Sequence, residues 1–127
     1  MGMSDVKGIV WSPRCVYPVN VGFTQSRKAI DKLVKAGGIK EGHTFGKCDG
    51  HSISFQAKSG EQVTVIFIDK KRGQDNQAIA VLAHECLHAV QYIKGVIGEQ
   101  DMSAEAEAYL LQWIMGFVLE KWRVQPW

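Results

Sequence analysis

The stretch Asn76–Lys94, NQAIAVLAHECLHAVQYIK, decides how the chain folds. Ile79, Leu82, Ala83, Cys86, Val90 and Ile93 recur at three- and four-residue intervals, the period of an amphipathic helix. At about 100° per residue, His84, Glu85 and His88 fall roughly opposite that stripe. The spacing therefore predicts a helix from Asn76 to Lys94, stopped at Gly95. One side packs on a core and the other turns towards a cleft or solvent. Cys86 lies within the apolar stripe and is expected as a packing residue rather than a ligand.

Two strands are expected just upstream. His51 to Ala57 alternates, with Ile53 and Phe55 on one face and Ser52, Ser54 and Gln56 on the other. Val63 to Ile68 is almost continuously β-branched or aromatic, as in a strand covered on both faces. Lys58-Ser59-Gly60-Glu61 joins them as a hairpin connection. Further upstream, Cys15 to Val21 contains Pro18 and reads as an edge strand or an extended lead-in segment. Thr24 or Ser26 can cap a helix to Ala36 with Ala29, Ile30, Leu33 and Val34 as its stripe, ended by Gly37-Gly38. Ile39 to Gly50 and Asp69 to Asp75 read as loops.

Downstream, Asp101 or Ser103 caps a second long helix that runs to about Arg123. Trp113, Phe117, Trp122 and Trp127 are expected in the core, with a share of them available for a homodimer contact. Strand and helix, hairpin, then two long helices make an α+β pattern, read as a single domain over residues 1–127.

Composition agrees with this. The 127 residues are 46% hydrophobic and 22% charged, enough to bury a core without covalent staples. Three cysteines with no close pair argue against a disulfide framework and against a four-cysteine zinc knuckle. A net charge of +2 gives no electrostatic case for nucleic acid or a membrane, and Lys70-Lys71-Arg72 is too short a cluster to make one. Met1 to Gly8 leads into no apolar signal core. Ala108 to Leu119 is too short to span a bilayer. The expected compartment is the cytoplasm, with the thiols reduced.

The helix carries the pattern H-E-x-x-H, which has a physical basis. Residues four apart stand about 40° apart on the helix surface, so both imidazoles can reach one zinc ion. Glu85 sits within about 60° of His88, beside the ligands but aimed aside. It can take a proton from a water at the metal without occupying a coordination site. A catalytic zinc needs a third protein ligand and an open position. Ser103-Ala-Glu-Ala-Glu-Ala-Tyr109 offers two carboxylates. Glu105 shares a polar stripe with Tyr109, Gln112 and Gly116. Glu107 falls on the apolar side, where it needs a buried partner. The polar face favours Glu105, with Glu107 as the alternative. Tyr109, or His51 at the hairpin, could add a hydrogen bond to the reacting carbonyl.

His84-Glu85-Cys86-Leu87-His88 together with Glu105 to Tyr109 resembles the gluzincins, in which two histidines and a downstream glutamate hold zinc. The same two segments resemble small bacteriophage metallopeptidase-like proteins, whose setting would be the host cytoplasm. The resemblance implies a minimal zincin-like core, with a small antiparallel sheet, an active-site helix and a C-terminal helix bearing the glutamate. It also implies a zinc metallopeptidase with a peptide or protein substrate. Glu85 would be the catalytic base, His84, His88 and Glu105 the metal ligands, and Tyr109 an auxiliary catalytic group. The alternative is a non-catalytic zinc-binding module that engages a partner protein. In that case His43, Cys48, His51 or Glu107 would close the metal site.

Overall fold

The computed structural model describes residues 2–12, 17–39, 49–69, 75–98 and 102–124. After a short 3-10 turn at Met3–Asp5, four strands form one sheet: β1 (Val10–Trp11), β2 (Asn20–Thr24), β3 (Gly50–Gln56) and β4 (Gln62–Ile68). Their order is β1-β2-β4-β3. The β3–β4 hairpin pairs antiparallel from Gly50↔Ile68 to Gln56↔Gln62, and Gly60 takes a φ of +95° in its turn, a region glycine enters without a steric penalty.

The sheet is antiparallel at both edges, but its central pair β2–β4 is parallel, from Asn20↔Val63 to Thr24↔Phe67. Parallel pairing needs a long crossover, and helix α1 (Arg27–Ala36) lies within it. The expected edge strand near Val21 is thus an interior strand. The two-residue β1, which leaves almost no periodic signal, covers it on the outer side. Cys15 lies outside the described residues.

Helix α1 follows its sequence signals. Ser26 Oγ accepts a hydrogen bond from the Ala29 amide at 3.2 Å, and Gly37 caps the other end. Ala29, Ile30, Leu33 and Val34 cover one face of the sheet, against Ile53, Phe55, Val63, Val65 and Phe67. The opposite face carries α2 (Asn76–Ile97) and α3 (Ala104–Val124). There Leu82, Cys86, Val90, Ile93, Ile114 and Val118 bury Val21, Phe23, Ile66 and Ile68.

Helix α2 does not stop at Gly95. It continues to Ile97 and ends at Gly98, whose φ of 72° is the left-handed cap. Val96 and Ile97 pack against the core, and their burial offsets the roughly 1 kcal/mol cost of an interior glycine. Of the caps expected for α3, Ser103 serves: its Oγ accepts from the Ala106 amide at 3.1 Å. Asp101 lies outside the described residues. Phe117 and Trp122 are buried, with Trp122 tilted on Phe23 at 6.4 Å. Trp113 is 37% exposed and stacks on Phe117, and Trp127 lies outside the described residues. No described helix is long and apolar enough to cross a membrane.

Two contacts fix α2 on the sheet. A Cβ added to Gly50 would stand 2.7 Å from Val81 Cγ1, so at the start of β3 only glycine admits the helix. At the far end, the Tyr92 hydroxyl donates to Gln62 Oε1, and Gln62 is the register partner of Gln56. The helix therefore runs along edge strand β3 in the same direction.

Candidate metal centre

On α2 the two imidazoles converge. His84 Nε2 and His88 Nε2 are 3.1 Å apart, with the rings edge-on at 80°. Both side chains are exposed, so their meeting place is open to solvent. Gln91, one turn on, holds His88 from behind, with Oε1 3.0 Å from Nδ1. An amide oxygen accepts, so in this pairing Nδ1–H donates and the Nε2 lone pair is left to accept from His84 Nε2–H or to bind a metal. Such an outer hydrogen bond is the usual companion of a metal-ligating histidine. The sequence reading missed Gln91, although its place three residues after His88 puts it on the same helix face.

Glu85 completes the group. One ligand atom from each of His84, Glu85 and His88 lies within 4.8 Å of the others. The expectation that Glu85 faces a cleft holds in part. It lines an open cleft of about 400 Å³ with His84, Gln77, Val81, Asp49 and Gly50, yet it is only 8% exposed. Among the described residues its carboxylate has no hydrogen-bond or ion-pair partner. A buried, unpartnered carboxylate is costly, and a cation held by the adjacent imidazoles would lower that cost.

Cys86 is buried as expected. Burial, with the Glu85 charge adding, pushes its thiol up to about 12. It stays protonated at neutral pH and is no ligand. On the sheet beneath, Ser52, Ser54 and Gln56 share the face of Gly50 by strand alternation, and the Ser54 and Thr64 hydroxyls bond at 2.8 Å.

The candidate third ligands lie apart from this group. Among the described residues, neither Glu105, Glu107 nor His51 joins the cluster. Glu105 is exposed in the first turn of α3. Glu107 has the partner its position demands: Lys94 Nζ donates to its Oε2 at 3.0 Å. Tyr109 is 62% exposed on the polar face of α3 and makes no hydrogen bond among the described residues. His51 is half-buried on β3. His43, Cys48 and Lys70-Lys71-Arg72 lie outside the described residues.

The donor set fits zinc. Two imidazole nitrogens at 2.0–2.1 Å from a tetrahedral zinc stand roughly 3.3–3.4 Å apart, close to the 3.1 Å between the Nε2 atoms here. Neutral imidazole with carboxylate oxygen is also a donor combination that suits this ion. No protein family, curated protein or solved structure matches the chain.

Proposed function

We propose that the chain is a zinc-dependent hydrolase, a small peptidase of gluzincin type, with Glu85 as its general base. The observation that carries this reading is the meeting of His84 Nε2 and His88 Nε2 beside a buried carboxylate that has no partner among the described residues. A purely structural zinc site has no use for that carboxylate. His84 and His88 would hold the ion. Among the described residues neither α3 carboxylate joins the pair; Glu105 is kept as the candidate third ligand because Glu107 is engaged by Lys94.

Zinc bound there would supply a Lewis acid that lowers the pKa of water towards ~7 and polarises a carbonyl. Glu85 takes the proton of the attacking water and delivers it to the leaving amine. Its burial holds the carboxylate beside the imidazoles, and Gln91 keeps His88 in the tautomer whose Nε2 faces the ion. The exposed side of the histidines admits the substrate. An extended peptide pairs with β3, the outer strand of the described sheet, beside α2, by strand addition.

The test is zinc content and peptide hydrolysis for wild type and Glu85→Gln. The variant retains zinc and loses hydrolysis by about 10²–10⁴-fold; hydrolysis that persists would remove Glu85 from the base role. In the same assay Glu105→Ala weakens zinc binding and Glu107→Ala does not, and the reverse pattern would transfer the ligand role to Glu107.

A further inference from the structure

A second cavity, of about 530 Å³, lies on the same seam between α2 and β3, past His88. Gln91, Tyr92, Gly95 and Val96 line it from the helix, and Gln56 and Gln62 from the hairpin. Among the described residues no charged side chain lines it. Tyr92 is held by Gln62, and burial pushes its phenol above the ordinary range, so the wall stays neutral. Gln91 belongs to both places, bonding His88 Nδ1 and lining this cavity.

The dimensions link the two cavities. From Val81 to Tyr92 is eleven residues, about 16 Å of helix at 1.5 Å each. From Gly50 to Gln56 is six residues, about 20 Å of strand at 3.3 Å each. Helix and edge strand therefore keep pace, with His84 lining the first cavity and His88 standing between the two. Tyr92 and Gly95 lie roughly 6 and 10 Å beyond His88 along the helix axis, which an extended peptide covers in two to three residues.

Building on the peptidase reading, we propose that this cavity is a specificity pocket. It takes an uncharged, apolar or aromatic side chain two to three residues from the cleaved bond. A charged side chain would find no opposite charge among the described lining residues, whereas an apolar one would cover Tyr92 and Val96, so uncharged side chains are preferred over acidic and basic ones. Gly95 leaves the pocket open: a Cβ at this position meets nothing within 4 Å, and a larger residue would fill the cavity without disturbing the helix.

The test uses end-blocked, alanine-rich peptides with a single Phe, Gln, Asp or Lys moved through each position. Wild type prefers Phe over Asp in the matching position by at least about tenfold. In Gly95→Leu the ratio of Phe to Ala peptide falls to near one. In Gly95→Glu selection shifts towards Lys. Neither variant lowers the melting temperature. A separate arm needs no catalysis: the Phe peptide added to zinc-free, ¹⁵N-labelled chain shifts the amides of residues 91–96 and 56–62, and Gly95→Leu abolishes those shifts. An unchanged peptide ranking in Gly95→Leu, or wild-type shifts that are absent or fall elsewhere, would overturn the pocket. If wild type cleaves no peptide at all, the functional reading fails, and the amide shifts still decide the pocket.

Discussion

Strands β3 and β4 present two different faces to the two helix layers. Towards α1 they offer Ile53, Phe55, Val63, Val65 and Phe67, all buried in one apolar cluster. Towards α2 the edge strand β3 offers Gly50, Ser52, Ser54 and Gln56, small or polar at every position, and β4 adds Gln62 and Thr64 before its apolar end at Ile66 and Ile68. Apolar side chains at Ser52, Ser54 and Thr64 would have buried more surface at roughly 25 cal/mol per Å². The face that gives up that stabilisation is the one beneath Glu85. Local departures of this kind from the best packing mark functional sites.

The difference predicts that stability and zinc binding separate by face. Leu33 is fully buried on the α1 side, and Leu33→Ala should cost 2–5 kcal/mol of unfolding free energy (about the range for buried leucines). Zinc affinity of the folded protein should not change. His84 is exposed, so His84→Ala should abolish zinc binding while metal-free stability stays within about 0.5 kcal/mol. Denaturant melts and zinc titrations of both variants check this, and equal effects on both properties would break the contrast.

A smaller effect sharpens it. Gln91→Leu removes the acceptor of the His88 Nδ1 proton, and zinc affinity should fall about 10–100-fold. Because Gln91 is exposed, the melting temperature should hold. Gln91→Glu supplies a stronger acceptor and should restore or raise the affinity. The His88 tautomer, read by ¹⁵N NMR of the zinc-free chain, should move away from Nδ1–H in the leucine variant alone.

Much of this was legible where the signal is local. The limits of α1 follow from Ser26 and Gly37, and the burial of β4 from its β-branched run. Helix α2 starts at Asn76 as expected, although its cap is Asp75, whose Oδ1 accepts from the Ala78 amide at 2.8 Å. The convergence of His84 and His88 follows from helix periodicity alone. What stayed hidden depends on distant partners. The parallel pairing of β2 with β4 and the two-residue β1 are set by sheet assembly. The run of α2 past Gly95 is decided by the core that Val96 and Ile97 reach. The partner of Glu107 could be foreseen as a need, but Lys94 could be identified only once the helix packing was known.

X-ray absorption at the zinc edge of the purified chain reads the ion's neighbours directly. One zinc per chain with two imidazole nitrogens and oxygen in its first shell, lost in His84→Ala and in His88→Ala, is the predicted result. A chain that takes up no zinc, or a shell containing sulfur, would contradict it.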